Sequence, residues 1–249
     1  MAHTKIEWTE MTWNPTTGCT KISIGCKNCY AEIMAKKLQK MKINKYQDGF
    51  ELRLHQSELY FPYSCKKPSK IFVNSMSDLF HEDLPLNFIQ RVFHVMNDCP
   101  QHIFQVLTKR SDILWHYASL LHWSSNIWMG VTVESSSYTK RIHDLRMTGA
   151  FIKFLSLEPL LSPIPDLDLT GIDWVIVGGE SGSHARPMEK EWVIDIQDQC
   201  QRNGVAFFFK QWGGKNKKEA GCLLDGKEYK ENPFNIGGVI NERQKKVTG

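Results

Sequence analysis

The sequence lacks any run of about 18 consecutive apolar residues, which leaves no candidate for a membrane-spanning helix. Its N-terminus lacks a charged region followed by an apolar stretch and a small-residue cleavage site, so a soluble, cytoplasmic protein without a membrane partner is expected. It lacks a strong charge of one sign. The 31 Lys and Arg stand against 27 Asp and Glu, a net charge of +4, far short of the basic excess with which proteins grip duplex DNA through its phosphates. A nucleic-acid substrate is therefore permitted and not indicated. It also lacks a disulfide framework: the seven cysteines are an odd number, and Cys65, Cys99, Cys200 and Cys222 are scattered without pattern. The other three, Cys19, Cys26 and Cys29, fall within eleven residues. Such crowding suits a metal site in a reducing compartment. No internal repeat is present beyond an alternation of apolar runs and helix-length segments.

That alternation carries the fold. Apolar runs at Ile71-Phe-Val73, Ile103-Phe-Gln-Val-Leu107, Ile127-Trp-Met-Gly-Val131, Phe151-Ile-Lys-Phe-Leu155, Trp174-Val-Ile-Val177 and Val205-Ala-Phe-Phe-Phe209 read as buried parallel strands. Leu86–Asp98, Ser111–Leu121, Tyr138–Met147 and Glu189–Asn203 place apolar residues at three- and four-residue spacing and read as helices. A chain of 249 residues, 41% hydrophobic, buries one sizeable core. The expectation is an α/β fold, a partial (β/α)6-type barrel with a parallel sheet over residues 1–213, and an irregular basic extension over 214–249. In that extension, Lys215, Lys217, Lys218, Arg243, Lys245 and Lys246 read as solvated surface, with Leu223, Leu224, Phe234 and Ile236 as the only core candidates.

Each strand is followed by polar residues: Asn74-Ser-Met-Ser-Asp78, Thr108-Lys-Arg110, Thr132-Val-Glu134, Ser156-Leu-Glu158, Gly178-Gly-Glu-Ser-Gly182 and Lys210-Gln-Trp212. In parallel α/β folds the active site lies at the carboxyl ends of the strands, so these clusters point to an enzyme. Helix capping, for instance by Ser111 and Ser135, accounts for some of them. It does not account for Glu134, Glu158 and Glu180 at successive strand ends.

The cysteines are spaced C-x6-C-x2-C in Gly18-Cys-Thr-Lys-Ile-Ser-Ile-Gly-Cys-Lys-Asn-Cys-Tyr30. Two residues between Cys26 and Cys29 let both wrap one site, and a loop containing Gly25 can return Cys19 to it. The count of three is informative. Structural zinc closes its tetrahedron with four protein ligands, whereas a cubane held by three cysteines leaves one iron open to a small molecule. Three readings stand: a cluster; a zinc-stabilised, non-catalytic nucleic-acid- or partner-binding module that takes a fourth ligand from Cys65, His81 or Cys99; and three unligated thiols, which invite oxidation. A cluster used only for sensing or electron carriage would leave the strand-end residues unexplained.

Further blocks accompany these cysteines in one order: Lys5-Ile-Glu-Trp8, Trp13-Asn-Pro15, Thr17-Gly-Cys19 through Cys29-Tyr-Ala-Glu32, Ser75-Met-Ser-Asp-Leu-Phe-His81, Leu107-Thr-Lys-Arg110, Ser156-Leu-Glu-Pro-Leu160, Gly178-Gly-Glu-Ser-Gly182 and Lys210-Gln-Trp-Gly213. Over roughly residues 4 to 213 the sequence thereby resembles the phage Gp37/Gp68 family of three-cysteine-motif proteins, regarded as members of the radical S-adenosylmethionine superfamily. It departs from the wider superfamily in the first gap, six residues instead of three, and in having Asn28 before the last cysteine, with the aromatic Tyr30 after it.

The resemblance implies a [4Fe–4S] cluster on Cys19, Cys26 and Cys29 and S-adenosylmethionine as cosubstrate. It further implies an electron donor of flavodoxin or ferredoxin type and a nucleic-acid base or nucleotide as substrate. Ser75, Ser77 and Asp78 would take the place that binds the methionine amine, with Thr108, Arg110, Glu134 and Tyr30 also contacting the cosubstrate. Lys109, Glu158, Glu180 and Lys210 would face the reacting groups. Lys109, Arg110 and Lys210 offer cations for a carboxylate or phosphate, or pair with the strand-end glutamates. Trp8, Trp13 and Tyr30 would shield the cluster, Trp212 would stack on a base, and His81 lies close enough to the second strand end to face the site.

Overall fold

The structure, a computed structural model, describes residues 2–234. It divides into two compact units, one built from the chain up to Thr132 with Lys140–Phe151, the other from Val133–Thr139 with the chain from Ile152 onward.

The first unit contains, in chain order, β1 (Ala2–His3), β2 (Met11–Trp13), β3 (Thr16–Thr17), α1 (Tyr30–Lys40), β4 (Arg53–Leu54), β5 (Lys70–Val73), α2 (Leu86–Asn97), β6 (Ile103–Thr108), α3 (Ser111–Tyr117), β7 (Ile127–Thr132) and α4 (Lys140–Arg146). Its strands run in the order β1-β2-β5-β6-β7. The β1–β2 pair is antiparallel and the others are parallel, while β3 and β4 form a separate antiparallel ladder. All six residues of β7 are buried, which is why its apolar run does not alternate. Helix α2 buries Phe88, Ile89, Val92, Phe93, Val95 and Met96 along one stripe. Each contributes about 1.5–3 kcal/mol by leaving water. Phe93 meets Trp123 edge-on at 5.0 Å, so Phe93→Ala would open a cavity there.

The second unit contains β8 (Ile152–Leu157), β9 (Trp174–Gly178), α5 (Lys190–Asn203), β10 (Ala206–Gln211) and α6 (Lys217–Ala220). Strands β8, β9 and β10 pair in parallel in that order. Helix α5 ends at Gly204, whose φ of 63° is the left-handed conformation that closes a helix, its N–H bonding to the carbonyls of Cys200 and Gln201. The register of β10 against β9 shifts between Phe209 and Gln211, so Lys210 is an extra residue on the bulged strand.

The α/β fold with parallel strands is the one expected, and six of its strands start within one residue of their sequence-predicted positions. Among the described residues the extension is irregular, with only the four-residue α6 after β10. It is nevertheless stitched to β10: the Phe209 N–H bonds to the Tyr229 carbonyl at 2.9 Å and the Phe207 N–H to the Glu231 carboxylate at 2.9 Å. Of its core candidates only Leu224 is buried, while Leu223 and Phe234 are exposed. Ile236, Arg243, Lys245 and Lys246 lie outside the described residues.

Candidate functional site

Three local devices place the early cysteines. Cys19 follows Gly18, whose φ is +85° and whose missing side chain leaves room for the Glu51 carbonyl. Any Cβ there would collide with backbone. The Gly18 N–H bonds to the Met76 carbonyl at 2.9 Å and its own carbonyl accepts the Ser77 hydroxyl at 2.7 Å. Cys26 closes a single 3-10 turn, Ile24–Cys26, with its thiol 3.5 Å from the Ser23 hydroxyl. Cys29 caps the N-terminus of α1. All three are free thiols of intermediate exposure.

Their electrostatics differ. Burial, followed by the nearby Asp78 charge, pushes the Cys19 thiol up to about 11, against the opposing pull of Arg110. For Cys26 burial is the largest influence and acts upward, yet the Ser23 hydroxyl, the Lys109 charge and backbone N–H groups together bring it below the ordinary thiol value. The Cys26 surroundings thus favour the thiolate, whereas burial and Asp78 keep Cys19 protonated despite Arg110.

Arg110, 3% exposed, is the hub of this region. Its guanidinium donates to Glu82, to Asp78 at 3.2 Å, to the Cys19 sulfur at 3.3 Å, and to the Thr20 carbonyl and hydroxyl at 3.2 and 2.6 Å. Asp78 also accepts the Thr108 hydroxyl at 2.6 Å and the N–H groups of Phe80 and Lys109 at 3.0 and 3.2 Å. The carboxylate expected to receive a methionine amine is thus already held by protein donors. Arg110 pairs with Asp78 and Glu82 in place of the strand-end glutamates.

The other residues expected here are also engaged. Ser77 holds Gly18, and the Ser75 hydroxyl and the Asn14 side-chain amide lie 3.2 Å apart. The Tyr30 hydroxyl donates to the Ser75 carbonyl at 2.8 Å while half of its surface stays exposed. Trp13 is fully buried, its indole N–H donating to the Glu58 carbonyl at 2.8 Å, and Trp8 packs on Phe72 with centroids 4.8 Å apart. The two tryptophans are core residues. Ser111 gives its hydroxyl to Asp144 at 2.6 Å, and neither it nor Ser135 supplies a side-chain cap.

A cleft of about 520 Å³ opens beside the loop, with Cys19, Lys21, Glu32, Lys36, Glu51 and Asp83 on its walls. Apolar side chains are few on these walls, and acids and bases are mixed.

In the second unit the strand-end acids have simpler partners. Glu180, 6% exposed, is clasped bidentately by Arg186, Nε to Oε2 at 2.9 Å and a terminal nitrogen to Oε1 at 2.6 Å. Arg186 escaped the sequence reading, although its place six residues beyond Glu180 on the same loop was a usable signal. Lys210, displaced by the bulge in β10, reaches Glu158 at 2.8 Å, and the Ser156 hydroxyl lies 3.3 Å from the same carboxylate. Gly178 leaves room for Glu158, since a Cβ there would stand 2.7 Å from Oε1. Glu134 is fully buried. Trp212 meets Phe209 edge-on at 4.8 Å and donates to the Leu223 carbonyl at 2.9 Å, so it is packed against its own unit and is not an open stacking platform.

Among the described residues no three His, Cys, Asp or Glu side chains stand close enough to hold a single metal ion. Of the proposed fourth zinc ligands, His81 uses Nδ1 to accept the Asp83 N–H at 3.1 Å, with Nε2 3.2 Å from the Thr20 hydroxyl, while Cys65 and Cys99 are free thiols. Cys19, Cys26 and Cys29, free of disulfides, are the donors that a cluster held by three thiolates would use.

Parallel βα units with a three-thiol loop and acids at the strand ends define an α/β protein with a candidate cluster-binding centre. The sequence matches the family described as "Protein of unknown function (DUF5131)" over residues 3–233, and the chain belongs to that family. The membership bears out the resemblance drawn from the motif blocks. No curated protein matches. Among solved structures, the chain is similar to spore photoproduct lyase complexed with dinucleoside spore photoproduct, with a TM-score of 0.42, 12% identity, and coverage of 75% of this chain and 59% of that one. A cysteine-to-alanine mutant of that lyase with the same ligand gives a TM-score of 0.43 at 12% identity over the same shares. The chain thus spans about 59% of the length of these neighbours.

Proposed function

We propose that this protein is a radical S-adenosylmethionine enzyme acting on a nucleic-acid base or nucleotide, with a reduced flavodoxin- or ferredoxin-type protein as electron donor. The observation that carries the reading is the donor set itself: three free thiols on one short segment, with Cys19 held against the Arg110 guanidinium at 3.3 Å. With a [4Fe–4S] cluster on Cys19, Cys26 and Cys29, the chemistry supplied is one-electron cleavage of S-adenosylmethionine to methionine and a 5′-deoxyadenosyl radical that takes hydrogen from the substrate.

The chain's own groups have the following tasks. Arg110 compensates negative charge at Cys19, and Asp78, Thr108 and Glu82 hold Arg110 in place. Lys109 lowers the charge cost at Cys26. Ser77, through the Gly18 carbonyl, and Tyr30, through the Ser75 carbonyl, fix the loop geometry. In the second unit, Glu158 with Lys210 and Glu180 with Arg186 are preformed pairs in which the acid can accept from ribose or base N–H groups while the cation meets a phosphate. Glu134, fully buried, adds a negative charge that acts on Arg186.

The test is to incubate anaerobically reconstituted, dithionite-reduced protein with S-adenosylmethionine and measure 5′-deoxyadenosine by mass spectrometry. Release above a no-protein control is expected, and a Cys26→Ala variant should release none. A persistently negative result with full cluster loading removes the radical mechanism.

A further inference from the structure

The segment from Lys21 to Ile43 has an unusual surface. Of the exposed large apolar side chains, Ile22, Ile24, Tyr30, Ile33, Met34, Met41 and Ile43 all lie here, Ile33 at 61% and Met41 at 59% exposure. Six exposed lysines, Lys21, Lys27, Lys36, Lys37, Lys40 and Lys42, are interleaved with them. The only acid is Glu32, which pairs with Lys21 and Lys36 at 2.8 and 2.6 Å. This short stretch carries more net positive charge than the +4 of the whole chain. The cause lies in α1: it buries only Ala31 and Ala35, packed with Tyr46 and Met76, so its larger apolar side chains face outward. Soluble proteins seldom leave such a patch bare unless something covers it.

We infer that this surface docks a small acidic protein that carries single electrons, with Ile33, Met34 and Met41 at the apolar centre and the lysines as the rim. The inference rests on the function proposed above and deepens it by naming where the electron enters. Three features select this occupant. Ile22, Ile24 and Lys27 lie between the cysteines, so whatever sits on the patch touches the thiol loop itself. The positive rim complements an acidic partner and steers it, as in transient redox complexes that bury less than about 1,200 Å². The side chains are those of a protein interface, Met and aliphatic centres with charged edges. Single-stranded nucleic acid uses stacked aromatics and Arg, whereas this segment holds Tyr30 as its one aromatic and has no Arg. With a cluster held by Cys19, Cys26 and Cys29, the docked partner would give up one electron there, with no bond made or broken.

The test uses the full chain and reduced flavodoxin as the probe, with binding followed by fluorescence anisotropy of labelled flavodoxin, which reads docking apart from turnover. Binding is expected to weaken at least tenfold on raising salt from 50 to 300 mM, at least tenfold in Lys37→Glu with Lys40→Glu, and severalfold in Ile33→Ser with Met34→Ser. Dithionite-driven 5′-deoxyadenosine release by the same variants should match the unsubstituted protein. The docking inference is overturned if flavodoxin binds the variants as well as the unsubstituted protein, fails to bind at all, or is displaced from the patch by a 20-nucleotide single strand that binds more tightly. If dithionite-driven release is absent from the unsubstituted protein, it is the proposed function that fails; the docking result is read separately.

Discussion

Arg110 in the first unit and Arg186 in the second each clasp a buried carboxylate, but their surroundings differ. The Arg110 side chain is 4% exposed and is spread over acceptors on Asp78, Glu82, Thr20 and Cys19. The Arg186 side chain is 28% exposed and its side-chain hydrogen bonds go to Glu180 alone. A group held on all sides is framework: it sets where Cys19 sits and has no capacity left for an incoming molecule. A group held on one side keeps an edge toward solvent and can meet a phosphate or carboxylate without first losing its partner. By this contrast Arg110 is the more deeply committed of the two guanidinium groups and Arg186 the one with an accessible edge.

The largest effect should come from the thiols. Replacing Cys19, Cys26 or Cys29 singly with Ala should reduce bound iron and sulfide to background after reconstitution, whereas Arg186→Ala should leave them unchanged, as read by iron and sulfide analysis. Next, Arg110→Ala strands Asp78 in the interior and should cost about 3–5 kcal/mol in urea unfolding. Arg186→Ala breaks a rim pair and should cost about 1–3 kcal/mol. The reverse order would break the comparison. Gly178→Ala places a Cβ against Glu158 and, by pushing that carboxylate off Lys210, should cost about 1–3 kcal/mol. It should also lower 5′-deoxyadenosine release while iron content stays constant.

The smallest effect is on pH dependence, and it belongs to the first unit. The Arg110 hydrogen bond holds Glu82 down at about 2, from an ordinary value of 4.5. Because the folded value is depressed, the unfolded chain binds the proton more readily, and Glu82 contributes stability above about 4.5 that is lost as pH falls toward 2. Burial, helped by Lys45 and Arg53, lowers His55 from 6.5 to about 4, so its contribution is present above 6.5 and declines as pH falls to 4. Urea midpoints measured from pH 7 to pH 3 should therefore fall in two stages. His55→Gln should flatten the upper stage, and Arg110→Lys, which loses the fork geometry, should flatten the lower.

Much of this was legible from sequence, and the exceptions have physical causes. The strands over 127–132 and 174–178 announced themselves because they are buried on both faces, which leaves runs without alternating polar residues. Helix α1 did not, because it packs through Ala31 and Ala35 and turns Ile33 and Met34 outward, so its pattern carries no inward stripe of large residues. Strand β2 is only three residues long, too short for any period to show. The cysteine trio and the strand-end acids could be named from type and spacing. Their partners could not: that Asp78 is filled by Thr108, Lys109 and Arg110, or that a bulge aims Lys210 at Glu158, depends on contacts between residues up to 52 apart in sequence.

The account stands or falls on whether the early thiols hold a cluster with an open iron. The direct measurement is low-temperature EPR on the anaerobically purified, dithionite-reduced protein before and after adding S-adenosylmethionine, with metal content determined on the same sample. About four iron and four sulfide per chain, and a signal whose g-values shift when S-adenosylmethionine is added, are the predicted result. One zinc per chain without iron, or a cluster signal unmoved by S-adenosylmethionine, would contradict it.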